Sequence, residues 1–191
     1  MAQPPGLCNC SPVAQSGITP ATDCRILPLM HPLVVVEVLL LLAVANGTPV
    51  IAKRLAGQRL AFPIDSGIAF IDGRPIFGAS KTWRGVLLAL FATSLAAALL
   101  GLGWRLGLLI GFLAMAGDLL SSFAKRRLGG APSSRALGLD QVPESLLPFL
   151  AGRFALGLSW LDVAVGTGLF LVGELLVSRW LYRLRIREQP Y

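Results

Sequence analysis

Five blocks of apolar residues divide this chain, and each is long enough to cross a lipid bilayer. A membrane-spanning helix needs about 20 mainly apolar residues. The blocks read as helices over His31–Ile51, Arg84–Leu102, Trp104–Phe123, Leu137–Leu158 and Trp160–Leu181. A tight turn at Gly101–Gly103 joins the second to the third, and Asp140, Pro143, Glu144 and Pro148 interrupt the fourth. Charged residues make up 14% of the 191, against about 25% in a soluble domain. Disorder, collagen and an ordinary soluble enzyme are excluded. The expected fold is an all-α integral membrane protein of five transmembrane helices. Its helical domain runs over 31–182, between an N-terminal tail at 1–30 and a basic tail at 183–191.

The cations are placed unevenly between the blocks. Lys53, Arg54, Arg59, Arg74, Lys81 and Arg84 fall between the first two, and Lys125, Arg126, Arg127 and Arg135 between the third and fourth. Arg179, Arg183, Arg185 and Arg187 follow the fifth, and only Arg25, Arg105 and Arg153 fall on the other side. Lys and Arg accumulate on the cytoplasmic side of membrane proteins. The N-terminus is therefore expected outside, the C-terminus in the cytoplasm, and the protein in the cell membrane as a multi-pass chain. Trp83, Trp104, Trp160 and Trp180 sit at block ends, where interfacial aromatic belts lie. The net charge of +7 thus reports topology and phosphate partners, not nucleic acid.

The two loops on the basic side span 52–83 and 124–136. In the first, Ile68–Ile71, then Asp72-Gly73, then Arg74–Phe77 read as a short β-hairpin, because Asp-Gly suits a turn needing positive φ. Asp72 is then a turn residue, and Asp65 in Pro63-Ile-Asp-Ser-Gly67 fits a turn as well as a role in a site. Lys53 and Arg54 read mostly as topology signals. The run Gly78-Ala-Ser-Lys81-Thr82 is not a P-loop: its lysine falls two residues late. Lys81 and Thr82 do precede a helix start, which favours anions. Cys8, Cys10 and Cys24 all precede the first block and leave a disulfide there open. The tail is no ordinary signal peptide, lacking a basic start before an apolar run.

Ionisable groups within a bilayer are costly and mark function by default. Asp118 lies seven residues before Lys125, and Asn46 seven before Lys53, each about 10 Å from the basic boundary along a helix. Asp140 and Glu144 stand at a similar depth after Arg135 and share a helical face. Two helix breaks, at Asn46–Pro49 and Pro143–Pro148, imply a water-filled cavity open to the cytoplasm. Carboxylates suit Mg²⁺. Cations ring the mouth: Lys53, Lys81, Arg84 and Lys125–Arg127. Cations over acids fit a metal-bound polyphosphate. Glu37 and Glu174 are single carboxylates left out of the site, and Gly166, Gly168 and Gly173 read as helix-packing positions. The single histidine, His31, lies on the outer side, so no histidine base serves the site. A small transporter of a phosphorylated or anionic solute is the alternative. The absence of an inverted repeat, and polar groups lying off the midplane, count against it.

The strings Asn46-Gly-Thr-Pro49, Lys81-Thr-Trp-Arg-Gly85, Gly117-Asp118…Ser122-Phe-Ala-Lys125-Arg126…Pro132-Ser133-Ser and Leu139-Asp140-Gln141-Val-Pro143-Glu144-Ser resemble the CDP-archaeol synthases, archaeal relatives of the CDP-diacylglycerol synthases. The similarity runs from the first block through the C-terminal tail. It implies a CTP- and Mg²⁺-dependent cytidylyltransferase acting on 2,3-di-O-geranylgeranylglyceryl phosphate, an isoprenoid glycerol phosphate lipid, with no protein partner. By this resemblance Asp118, Ser122, Lys125 and Arg126 match the Asp…Ser…Lys-Arg part of the bacterial and eukaryotic signature. The rest of that signature is absent here. The paired Asp-Gly…Ala-Arg pattern of a CDP-alcohol phosphotransferase is not found.

The resulting expectations are specific. Asp118, with Asp140 or Glu144, would hold the metal. Lys81, Lys125 and Arg126 would clamp phosphates as catalytic groups. Asn46 and Thr48 would meet cytosine or ribose, with Thr82, Arg84, Ser122, Ser133 and Gln141 completing the substrate contacts.

Overall fold

The computed structural model describes residues 30–57, 59, 61–129 and 141–183, with side chains described as far as Ser178. Five helices follow in the expected order: α1 Pro32–Ala56, α2 Trp83–Leu99, α3 Trp104–Arg127, α4 Gln141–Leu156 and α5 Trp160–Arg183. Three of them, α1, α3 and α5, are long and apolar enough to cross a membrane. The 17-residue α2 is apolar but shorter. The 16 residues of α4 reach only about 24 Å, short of the ~30 Å hydrocarbon layer. Asp140, Ser133, Arg135 and both tails lie outside the described residues.

Chemistry at the helix ends sets these boundaries. Pro32 opens α1, where a missing N–H costs nothing, and Lys53 and Arg54 stand in its last turn, favourable to the helix dipole. Thr82 caps α2 by accepting the Gly85 N–H at 3.3 Å. At the start of α5, Ser159 and Asp162 form a reciprocal box: Asp162 accepts the Ser159 N–H at 2.9 Å, and Ser159 Oγ accepts the Asp162 N–H at 3.1 Å. The same carboxylate, 0% exposed, accepts the His31 N–H at 3.1 Å where α1 begins. One buried acid therefore ends two helices at the face opposite the basic loops.

Two expectations are corrected here. The Asn46–Pro49 stretch does not break α1, which runs through Pro49. Thr48 donates its hydroxyl to the Val44 carbonyl at 2.6 Å, and Pro49 packs toward Gly85 of α2, so α1 continues although Pro49 has no N–H to give. Likewise Pro148 lies inside α4. The hairpin is reduced as well. Among the described residues there is no strand; the expected hairpin keeps the isolated bridge Ala69–Pro75 and the Phe70 N–H to Arg74 carbonyl bond at 2.8 Å, and a second isolated bridge joins Pro63 to Thr82. Pro75 lacks the donor that a longer ladder would need.

Small residues let the helices close. The core runs from Val38, Leu41 and Leu42 of α1 through Ala89 and Ala97 of α2 and Ile110 and Ala114 of α3 to Phe149 of α4. A Cβ at Gly117 would stand 2.4 Å from the Pro143 carbonyl oxygen and 2.7 Å from Glu144 Cα. That glycine brings the start of α4 against α3 beside Asp118. Gly166 admits the Phe149 ring in the same way, at 2.3 Å, whereas Gly168 and Gly173 have nothing within 4 Å. Of the three glycines read as packing positions, only Gly166 meets a neighbour.

Gly117→Ala should therefore overpack the α3–α4 contact, at a cost of about 1–3 kcal/mol, and lower the thermal midpoint in detergent by several degrees. Gly168→Ala should leave it unchanged or slightly raised. Equal midpoints for the two variants would mean that the helices do not approach so closely.

Candidate active site

A cavity of about 320 Å³ opens between α1, the loop that follows it, α2 and α3. Its walls carry Lys53, Lys81, Thr82 and Asp118 among apolar neighbours such as Pro49 and Met115. Lys81 Nζ lies 2.6 Å from Asp118 Oδ1 and 2.5 Å from Oδ2. Both side chains keep about a quarter of their surface exposed, 23% and 27%. The pair is thus open to exchange from the cavity. On the α1 wall of the same cavity, Lys53 makes no hydrogen bond or ion pair with any described residue.

The position of Lys81 is built by Asp65. This carboxylate is 6% exposed and accepts three backbone N–H groups: Gly67 at 3.2 Å, Phe77 at 3.1 Å and Gly78 at 2.8 Å. Gly78 takes φ +94°, a conformation open to glycine, and so turns the chain toward Lys81. The Lys81 carbonyl then accepts the Ile64 N–H at 2.9 Å, and Trp83 N–H reaches the Phe62 carbonyl at 3.1 Å. Burial would raise the Asp65 pKa, but the three N–H donors outweigh it and hold the carboxyl below its ordinary 3.8. Sequence reasoning left Asp65 between turn and site. The only signal was its place in a turn-like string, since two of its three donors lie twelve and thirteen residues on.

A second set of contacts fastens the loop to α3. Arg74 donates to the Arg126 and Arg127 carbonyls at 3.3 and 3.1 Å, filling acceptors left open at a helix end. Arg127 pairs with Asp72 and donates to the Pro75 carbonyl at 2.9 Å. Asp72 is the turn residue expected: it accepts the Arg74 N–H at 3.1 Å. Arg84 serves structure too, donating to the Gly57 carbonyl at 3.1 Å and to that of Arg59.

The expected site residues divide accordingly. Lys81, Thr82 and Asp118 meet at the cavity, with Lys53 added. Asn46 stands on the face of α1 that carries Pro49 and Lys53, by helical spacing. Its buried amide nitrogen and oxygen have no partner among the described residues. Thr48 is turned onto its own helix. Ser122, Lys125 and Arg126 follow Asp118 along α3 without lining the cavity, and Lys125 and Arg126 are both engaged in other contacts. Gln141 and Glu144 are buried and engaged at the start of α4. Asp140 and Ser133 lie outside the described residues, and no cluster of three metal-ligating side chains occurs among the rest.

The donor chemistry at Asp118 nonetheless fits a divalent cation. A carboxylate with both oxygens turned to one ammonium presents the hard, chelating pair that such an ion takes. The backbone of Glu144, at the start of α4, lies against Gly117 beside Asp118.

Comparison with known proteins now bears on this geometry. The family model described as CarS-like, CDP-archaeol synthase, matches residues 30–191. The CDP-archaeol synthase of Sulfurisphaera tokodaii is 34% identical over 157 residues, covering 78% of this chain and 89% of its own. That of Hyperthermus butylicus is 30% identical over 176 residues, covering 85% and 98%. A solved structure, described as an intramembrane enzyme for archaeal membrane lipids biosynthesis, superposes with a TM-score of 0.62 at 32% identity. It covers 74% of this chain and 90% of that one.

Asp65→Asn should free the loop. An amide can serve only one of the two donor sets, and each lost charge-assisted bond costs about 1.5–3 kcal/mol. Amide exchange at Phe77 and Gly78 should quicken at neutral pH. A depressed carboxyl stabilises the fold above its unfolded pKa and loses that contribution as pH falls through its folded value. The stability gap between wild type and Asp65→Asn should therefore hold steady above pH 3.8 and shrink below it. A gap that widens on acidification would refute the role given to the carboxylate.

Proposed function

The chain belongs to the CDP-archaeol synthase family, and from that premise we propose how its own residues carry the reaction. It is a membrane enzyme and a CTP-using nucleotidyltransferase that forms CDP-archaeol. The lipid substrate is taken to be 2,3-di-O-geranylgeranylglyceryl phosphate, and the cavity to face the cytoplasm, where the cations gather.

One oxygen of the lipid phosphate attacks the α-phosphorus of CTP in line. The new P–O bond forms as the bond to the β-phosphate oxygen breaks, and pyrophosphate leaves. A phosphate monoester is already anionic near neutral pH, so no histidine base is needed. Catalysis then rests on positioning and on neutralising charge. The observation that carries this reading is the exchangeable Lys81–Asp118 pair with an unpaired Lys53 on the α1 wall of the same cavity.

Asp118, with Glu144 or Asp140, would hold Mg²⁺. That ion, when bound, supplies Lewis-acid neutralisation of phosphate oxygens. Lys81 is placed to trade its carboxylate for phosphate oxygens, while Lys53 supplies a second point charge from α1. Asn46, with a donor and an acceptor unpaired deeper on the same helix face, suits the edge of cytosine. Thr82 and the positive dipole end of α2 favour the same anion. Lys125 and Arg126, farther along α3, would meet the phosphates at the mouth with Ser122, and Gln141 and Ser133 would close it from the α4 side. Arg84 contributes by holding the end of α1 in place.

The test is transfer of label from radiolabelled CTP to a lipid phosphate by purified protein. Label should move into the lipid phase, cease on chelation and return with Mg²⁺. Asp118→Asn should lower kcat at least ~100-fold with folding intact. Lys53→Ala should raise the KM for CTP about tenfold and leave the thermal midpoint unchanged. Uptake of unaltered solute into vesicles, without lipid labelling, would favour a transporter.

A further inference from the structure

The loop between α1 and α2 carries an apolar surface that the reaction does not use. Phe62 is 67% exposed, Ile68 61% and Ile71 95%. Their surroundings say what covers them. The Phe70 ring meets Phe123 edge-on, with centroids 5.7 Å apart. The Arg127 guanidinium lies over both rings, at 4.7 and 5.1 Å. Leu109, Phe112 and Leu120 are exposed on α3 and share one helical stripe with Phe123 and Arg127. Since α3 is long and apolar enough to span, that stripe faces acyl chains, and the loop tip extends it.

The charges around the tip fit the same depth. Arg127 holds its guanidinium over two aromatic rings while pairing with Asp72, a cation–π contact of the amphipathic kind suited to the boundary between acyl chains and headgroups. At the other corner Phe62 is bonded to the backbone of Trp83, itself exposed at the start of α2, where interfacial tryptophans sit. The loop is thus tied at two points to helix ends that lie at one membrane boundary.

We infer that residues 61–77 form an interfacial element. Phe62, Ile68 and Ile71 insert into the headgroup–acyl boundary of the bilayer that the helices cross. Because Ala61, Ile64 and Ala79–Thr82 of the same loop line the cavity, this seat sets the cavity mouth at the depth of a lipid phosphate. The partner is the lipid surface itself. The inference rests on the chain being a membrane protein and deepens the proposed function by explaining how the lipid phosphate meets the site.

The experiment uses the full chain with Cys8, Cys10 and Cys24 replaced by serine and an environment-sensitive nitrobenzoxadiazole label on Ile71→Cys. The protein is reconstituted in phosphatidylcholine–phosphatidylglycerol vesicles. Emission should shift to the blue, and a nitroxide near the headgroup end of the acyl chains should quench it more than aqueous iodide does. The label on Ala79→Cys, at the cavity, should show the reverse order. Quenching by iodide alone at position 71, or strongest quenching by a nitroxide at the chain terminus, would overturn the inference. Ile68→Cys provides the same readout should the first variant not fold. These measurements need no turnover, so they succeed or fail apart from the synthase reading. In active vesicles, Ile71→Glu should raise the KM for the lipid phosphate by roughly threefold and spare that for CTP. No shift, or an equal shift in both, would overturn the link to the mouth.

Discussion

The ion pair between Lys81 and Asp118 is the contact on which this architecture turns. Carboxylates are tolerated within apolar helix bundles only when something answers their charge. Asp118 is answered by a lysine from a loop, not from another helix. That choice has consequences. A helix-borne partner would be fixed by packing, and its charge would be locked. A loop-borne lysine can be held in place by backbone contacts and still leave the carboxylate. The structure supplies those backbone contacts in full: Asp65 gathers three N–H groups, and Gly78 makes the turn that delivers Lys81. The pair is consequently satisfied but accessible, which is what a site must be if a metal-bound triphosphate is to replace its internal partners.

The helices supply the other half of the constraint. Asp118 can serve a cavity only if α3 is held close to α1, α2 and α4 at once. Glycines at the contacts permit this. Gly107 and Gly111 approach Thr93 of α2, while Gly117 lies against the Pro143 carbonyl. Van der Waals packing of small residues drives helix association in lipid, where burial of apolar surface brings little gain. At the opposite face the buried Asp162 ends both α1 and α5. One end of the bundle is thus fixed by a carboxylate whose bonds are all internal, and the other by a carboxylate whose partner can be exchanged.

Much of this was legible in the sequence because a bilayer simplifies the problem. Long apolar blocks bounded by cations and tryptophans have few alternatives, and α3 begins at the expected Trp104. Asp118 stood out for the same reason: a lone carboxylate in such a block demands a purpose. What was illegible depended on contacts between segments distant in sequence. Asp65 looks like a turn residue because its decisive donors at Phe77 and Gly78 belong to another part of the loop. Lys53 and Arg54 read alike as topology signals, and only the packing of α1 puts Lys53, already expected at the mouth, on the cavity wall. Pro49 suggested a break, since proline removes a helix donor, yet α1 continues past it. A turn does form at Asp72-Gly73, but only Gly73 takes positive φ, and Pro75 cut the ladder there to one bridge.

The two substrates impose a geometry that the same features satisfy together. CTP is a polyanion that arrives from water, and the lipid phosphate carries its charge at the membrane surface with tails that cannot leave the bilayer. Their reacting atoms can meet only in a layer where cations are accessible from water and apolar walls are accessible from lipid. In the proposed reading Lys53 and Lys81 supply the cations of such a layer, and Pro49 and Met115 stand on the same cavity walls. Were the carboxylate placed at mid-membrane, the nucleotide would need a deep aqueous channel. Were it placed in a soluble loop, the lipid would need extraction. As the proposed site, Asp118, about two turns inside the basic end of α3, avoids both, and the loop that delivers Lys81 is the element able to set that depth against the headgroups.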